Sequence, residues 1–305
     1  MRLAELEPAQ ARARMLAGPG LALRTGPVVF RVQTSIRDLA SSILALYAQH
    51  PLAEPDSIID FDVRVDQPAG LRRWIRPQVT FEMDGQRPFA PLAHDQGLPL
   101  LEWGLNWCVY SQCHQYLVVH AAVLEQGGRA LLLPAPSGSG KSTLCAGLAL
   151  SGWRLLSDEL ALIDSEGRVV PLPRPVSLKN RSIEVIQRRF ASVRFGSRVE
   201  ATVKGVVAHF PPPAASVALA DRCALPGWIV LPRWQAGAKT ALTPFPKARA
   251  LMALVQNAFN YDLFGAAGFE RLAQVVDGCT AFEFEYADLD EALAVFSELA
   301  AAGRP

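Results

Sequence analysis

The segment Ala130-Leu131-Leu132-Leu133-Pro134-Ala135-Pro136-Ser137-Gly138-Ser139-Gly140-Lys141-Ser142-Thr143 decides how the chain of 305 residues is read. Its uninterrupted apolar start, Ala130 to Leu133, fits a strand buried on both faces. A run of small residues follows at once. Beyond it, Leu144, Cys145, Leu148 and Ala149 share one helical stripe that ends at Ser151-Gly152, where glycine takes a left-handed cap. The order is strand, loop, helix. Ala135 to Ser142 matches the Walker A phosphate-loop pattern, with alanine in place of its first glycine. That chemistry asks for loop amides around an anion, a helix N-terminus aimed at it, a lysine for the outer phosphates and a hydroxyl for Mg²⁺. The expected nucleotide-binding set is Ala135, Pro136, Ser137, Gly138, Ser139, Gly140, Lys141, Ser142 and Thr143, with ATP and Mg²⁺ as cofactors.

Downstream, the apolar run Leu155-Leu156 leads into Ser157-Asp158-Glu159, at the Walker B position of the strand after the phosphate-loop helix. Adjacent acids point to opposite sides of a strand, so one suits a metal and the other a substrate proton. A solvated surface pair is the plain alternative. Upstream, His120 lies within the apolar run Leu117 to Leu124, on a strand expected to pair with the phosphate-loop strand. A lone histidine among aliphatic residues reads as a core residue as readily as a functional one.

Before this region, strand patterns at Val28 to Val32, Ile58 to Val65 and Gln78 to Met83 accompany a helical stretch around Asp38 to Gln49. Asp84-Gly85 reads as a hairpin turn into a strand over Arg87 to Leu92. We expect a small N-terminal α+β domain over residues 1–95, concerned with acceptor binding or assembly rather than phosphate chemistry, and a catalytic domain over 96–305. Within the latter, the pattern predicts a helix over Leu98 to Gln112, one strand over Arg154 to Asp164, and strands at Trp228 to Leu231 and Phe282 to Tyr286. Helices are predicted at Lys247 to Phe259, at Ala266 to Val276, and after Asp288 with Glu291 as capping-box partner. The fold class is α/β.

Composition narrows the partners. Half the residues are hydrophobic and 19% charged, which supplies a core and argues against disorder. A net charge of +1 offers no global field for nucleic acid or an anionic membrane. No run approaches the length of a membrane span, and the first ten residues do not read as a secretory signal, so the cytoplasm is the expected compartment. The five cysteines, Cys108, Cys113, Cys145, Cys223 and Cys279, contain no Cys-x-x-Cys pair; neither a disulfide framework nor a zinc site follows, Cys113-His114 included. Only five lysines stand against 25 arginines, which singles out Lys141 further.

The order His120, then Ala135 to Ser142, then Gly152-Trp153-Arg154-Leu155-Leu156-Ser157-Asp158-Glu159 resembles the catalytic domain of HPr kinase/phosphorylase, a bacterial protein-serine kinase whose P-loop core is akin to phosphoenolpyruvate carboxykinase. The resemblance spans roughly Leu117 to Ile163, and the intervals from histidine to lysine to acid pair agree. The whole chain resembles the HprK-related kinase A group, which lacks the standard N-terminal domain and whose relatives act on ribosomally made peptides. The resemblance implies that Asp158 accepts the proton of the incoming hydroxyl, Lys141 binds the β- and γ-phosphates, Ser142 ligates Mg²⁺ and His120 supports the acid pair. Glu159 then stands near the metal or His120. The family's Glu-Ile-Arg-Gly-Leu-Gly signature and Pro-Gly-Arg loop have no clear equivalents here. Pro173 to Asn180 occupies roughly the place of the first, where either Arg174 or Lys179 faces phosphate or the stretch is an ordinary surface loop; Lys204 and His209 are weaker candidates for the second. The implied activity is Mg²⁺- and ATP-dependent transfer to a serine of a small protein or peptide, with a homo-oligomer left open. Nucleotide binding without transfer, in a regulatory or scaffold role, and a small-molecule kinase are the alternatives.

Overall fold

The computed structural model describes residues 1–54, 56–70, 73–136 and 138–303; Ser137 of the expected loop lies outside them. The elements run in chain order as α1 (Pro8–Ala17), β1 (Leu21–Thr25), β2 (Val28–Gln33), α2 (Arg37–Leu46), β3 (Phe61–Asp66), β4 (Gln78–Met83) and β5 (Leu92–Ala93). Then come α3 (Gly97–Gln112), β6 (Leu117–Gln126), β7 (Arg129–Pro134), α4 (Lys141–Leu150), β8 (Arg154–Ser157), β9 (Leu160–Ile163) and β10 (Val169–Val170). The rest are β11 (Val176–Lys179), α5 (Arg181–Arg189), β12 (Val199–Thr202), β13 (Gly205–Phe210), α6 (Ala214–Ala218), β14 (Leu225–Trp234), β15 (Ala241–Pro244), α7 (Lys247–Gln256), α8 (Tyr261–Asp277), β16 (Thr280–Tyr286) and α9 (Leu289–Ala301). This is a mixed α/β chain with several sheets. No helix among the described residues is long and apolar enough to cross a membrane.

Two compact units emerge, the first comprising 1–109, 174–183 and 192–218 and the second 110–173, 184–191 and 219–305. This division differs from a cut at residue 95. In the first unit the sheet β11-β13-β12 is built from later segments, and Gln96 Nε2 donates to Ala201 O at 2.7 Å. The first unit's other sheet has the order β1-β2-β3-β4-β5, with β2 and β3 parallel and the remaining pairs antiparallel. Asp84 and Gly85 both take positive φ, as a tight hairpin turn requires. The strand expected over Arg87 to Leu92 shrinks to Leu92–Ala93; Pro88 and Pro91 remove backbone donors from that stretch. α1 begins with Pro8 at its first turn, where the missing N–H costs nothing, and Glu7 accepts from Gln10 N at 2.8 Å.

The second unit is built on an eight-stranded sheet, β10-β9-β6-β7-β14-β16-β15, with β8 also paired to β6. β7, β14 and β16 are mutually parallel neighbours, whereas β6 is antiparallel to β7, β8 and β9. Leu117, Val119, Ala121 and Val123 of β6 join Leu254 of α7 and Leu272, Val275 and Val276 of α8 in one core. Alternation along the strand sends Val118, His120, Ala122 and Leu124 to the other face, where α4 packs over β6. α9 lies against α4, and a Cβ at Gly147 would stand 3.0 Å from Leu289 Cδ1, so glycine sets that close approach. Asp288 caps α9 by accepting from Asp290 N and Glu291 N at 2.8 and 3.0 Å; Glu291 turns its carboxylate to Thr240 Oγ1 instead of closing a capping box.

Within the first unit, Gly104 of α3 faces Phe81 of β4. A Cβ at Gly104 would fall 2.0 Å from Phe81 Cε2, inside a ring that is wholly buried. Gly104→Ala therefore forces the ring or the helix to move, at a cost of about 1–3 kcal/mol. The expected readout is a lower urea midpoint at unchanged slope.

Candidate phosphate-transfer site

The chain leaves β7 at Pro134 and re-enters regular structure at Lys141, the first residue of α4. Gly138 and Gly140 both have positive φ, +90° and +88°. Gly140 is the left-handed residue from which α4 starts, and its carbonyl accepts Leu144 N at 3.1 Å. Two further contacts fix the loop from outside. Trp234 N, at the end of β14, donates to Ser139 O at 2.8 Å. Tyr286 Oη, at the end of β16, donates to Gly140 O at 2.9 Å. Burial pushes the Tyr286 hydroxyl above its ordinary pKa, which keeps it a donor.

Lys141 is 6% exposed, and its Nζ lies 2.8 Å from His120 Nε2. The same Nε2 lies 2.9 Å from Glu159 Oε2. One ring nitrogen carries either a lone pair or a hydrogen. With the lone pair it accepts from Lys141, and with the hydrogen it donates to Glu159. His120 thus mediates between the loop lysine and the acid pair. Ser142 and Thr143 are half-buried in the first turn of α4.

The strand expected over Arg154 to Asp164 is broken at the acid pair into β8 and β9, both running antiparallel to β6. The pairings Val123↔Ser157 and His120↔Leu160 bracket the break, and Ala121 N donates to Glu159 O at 3.1 Å. Asp158 is 5% exposed. Burial first, and then the carboxylate of Asp158, push the Cys145 thiol well above its ordinary pKa, with Lys141 pulling it down. Glu159 adds to the upward push on Cys145, and its Oε2 also faces His120. The Ser142 hydroxyl and the Glu159 carboxylate are oxygen donors of the kind Mg²⁺ takes, the rest of its shell being phosphate oxygens and water.

β7 pairs with β6 only from Ala121 onward. The stretch of β6 that β7 leaves uncovered is filled by residues 257–260. His120 N donates to Asn257 O at 2.7 Å and Phe259 N to Val118 O at 2.9 Å. Buried Asn260 completes the patch, accepting from Val118 N through Oδ1 and donating from Nδ2 to Tyr116 O. Phe259 stacks on Tyr110 with ring centroids 4.3 Å apart and lies 6.0 Å from the His120 ring. Trp234, Tyr286 and the 257–260 segment are absent from the expected set. Only the aromatic residues at the ends of apolar strands hinted at the first two.

Arg174 departs from expectation. It is buried in the first unit, where its guanidinium donates to Asn106 Oδ1 and stands 3.7 Å from Glu102 Oε2. Burial raises the pKa of Glu102, with Arg174 and a 2.7 Å hydrogen bond from Tyr47 Oη acting in the opposite sense. Arg174 is thus the partner of a buried acid rather than a surface cation. Lys204 lies over the Trp103 ring at 4.9 Å, and His209 is buried on β13 opposite Ser177. Lys179 ends β11 beside them in the same sheet. The described cysteines are free thiols, with only Cys223 exposed. Among the described residues, no group of three or more His, Cys, Asp or Glu side chains could hold a metal by itself.

Residues 98–182 match the family model described as SynChlorMet cassette protein ScmC, which covers well under half of the chain. None of the curated proteins matches. Among solved structures, the chain is similar to the HPr(Ser) kinase/phosphatase from Coxiella burnetii at 12% identity, covering 61% of this chain and 99% of that one with a TM-score of 0.25. A superposition that shallow carries no inference about fold or activity.

The loop geometry separates its two positive-φ glycines. A Cβ on Gly140 would stand 2.5 Å from Tyr286 Oη and 2.7 Å from Trp234 Cβ, whereas one on Gly138 meets nothing within 4 Å. Gly138→Ala should cost about 1 kcal/mol from its positive φ alone. Gly140→Ala adds a collision and should cost about 1–3 kcal/mol more. Chemical denaturation of the two variants side by side checks the ordering.

Proposed function

We propose that this chain is an Mg²⁺- and ATP-dependent phosphotransferase that acts on a hydroxyl, with a serine of a small protein or peptide as the acceptor. The supporting observation is the convergence of Lys141, His120 and Glu159, the neighbour of buried Asp158, from three separate segments beside a glycine loop that opens a helix.

Phosphoryl transfer needs in-line positioning and neutralisation of charge more than covalent help. The loop amides and the α4 N-terminus take the phosphate oxygens. Lys141 has three donors, so its ammonium bridges phosphate oxygens and leaves His120 Nε2 to carry its hydrogen toward Glu159. Ser142 and Glu159 would hold Mg²⁺, which when bound offsets the negative charge of the phosphates. Asp158 accepts the proton of the acceptor hydroxyl as its oxygen bonds to the γ-phosphorus and the bond to the bridging oxygen of ADP breaks. His120 holds Glu159 in place, leaving Asp158 as the acid for that proton.

The roles predict different signatures in transfer of labelled γ-phosphate to a library of serine-containing peptides, alongside calorimetry with Mg-ATP. Asp158→Asn should lower turnover by about a hundredfold or more with nucleotide affinity nearly unchanged, because a base acts mainly in the transition state. Lys141→Ala should abolish turnover. Ser142→Ala should weaken Mg-ATP binding, and Glu159→Gln should fall between Ser142→Ala and Asp158→Asn. Wild-type transfer by Asp158→Asn removes the base from this scheme. An intact chain that binds Mg-ATP without transfer to any acceptor supports the regulatory reading, and one that binds no nucleotide defeats the phosphate loop itself.

A further inference from the structure

The phosphate loop follows the middle one of three neighbouring strand ends, and its flanks differ. On one side stands β6 with His120, and beyond it the acids between β8 and β9. On the other side the parallel strands β14 and β16 end level with each other, Trp234 being paired in register with Tyr286. If the terminal phosphate of a nucleotide faces Lys141, Asp158 and Glu159, the nucleoside leaves the loop toward β14. The residue standing there is Trp234. Its backbone is fixed to the loop through Ser139 O, and its indole Nε1 donates to Ala287 O at 3.1 Å. Even so, the side chain is 38% exposed.

We propose that Trp234 is the nucleobase platform of this site, taking the flat face of a purine against its indole ring. The inference rests on the phosphate-loop reading above and names the subsite that the loop by itself leaves unspecified. An indole offers the largest aromatic face among side chains, and stacking tolerates any base because every base has a π surface. The ring is held at its backbone and at Nε1, so a base that settles on it orders little further side-chain freedom. Selection between adenine and guanine by edge hydrogen bonds is not part of this arrangement, so ATP and GTP should bind alike.

The test compares Mg-ATP with inorganic Mg-tripolyphosphate, by calorimetry, on the intact chain and on Trp234→Ala and Trp234→Phe. Both variants keep the backbone N–H that holds Ser139 and the Cβ that faces Gly140. The platform predicts that Trp234→Ala weakens ATP about tenfold, leaves tripolyphosphate unchanged, and that Trp234→Phe recovers most of the loss. Equal weakening of both ligands assigns Trp234 to loop support only and overturns the proposal. So does a wild-type chain that binds tripolyphosphate as tightly as ATP, or a Trp234→Ala variant that binds ATP normally. A wild-type chain that binds neither ligand overturns the phosphate-site reading, and the platform with it.

Discussion

Two carbonyl oxygens, those of Ser139 and Gly140, are tied to the ends of neighbouring parallel strands, and the rest of the second unit's site depends on those ties. A glycine loop is entropically expensive to hold in one shape, because its residues visit more of φ/ψ space than any others. Here the restraint comes from outside the loop, through Trp234 N and the Tyr286 hydroxyl. With Gly140 held in its left-handed conformation, α4 starts at Lys141 and points that side chain at His120. Parallel pairing of β7, β14 and β16 is therefore a requirement of the site, since only parallel neighbours bring three C-terminal ends to one edge.

β7 borders an antiparallel strand on one side and a parallel one on the other, and the polar groups follow that asymmetry. His120, Asp158, Glu159 and Lys141 gather on the β6 side, largely withdrawn from water. Burying such charges is costly unless they are paired, and the 2.9 Å contact between His120 Nε2 and Glu159 is one such pairing. The same arrangement keeps Cys145, wholly buried beneath, as an unreactive thiol. The opposite side is aromatic. In the first unit a different buried acid, Glu102, is compensated by Tyr47 and Arg174, so a cation that looked available in the sequence is occupied by structure.

The strand, glycine loop and helix were legible because each is a local pattern: an apolar run, positive-φ residues, a stripe. The acid pair and His120 were legible by position relative to that pattern, and the structure brings His120 and Glu159 within hydrogen-bonding distance of one another. The interruption between β8 and β9 was not, since Ser157-Asp158-Glu159 read as polar residues within one strand rather than as the break between two. Likewise β15, a short, exposed edge strand, escaped notice, as did the helical turn before the kink at Gly265 (φ +52°); the helix read from Ala266 is the stretch after that kink. Trp234 and the 257–260 segment belong to the site only through tertiary pairing, which no window of sequence contains. The extent of the first unit was hidden for the same reason, because β11 to β13 join it from far along the chain.

His120, Lys141 and Glu159 are close in sequence, yet the strand that carries the histidine receives its last backbone partner from much further on. Val118 N is satisfied by Asn260, 142 residues later, and His120 N by Asn257. During synthesis from the N-terminus, that edge of β6 emerges with unmet donors and stays so until the α7–α8 connection follows it out. An uncovered apolar strand edge is a template for pairing with other chains, and contacts this distant close slowly. The hazard of this architecture thus lies in time rather than in the finished molecule: the strand that carries His120 is made early and protected late.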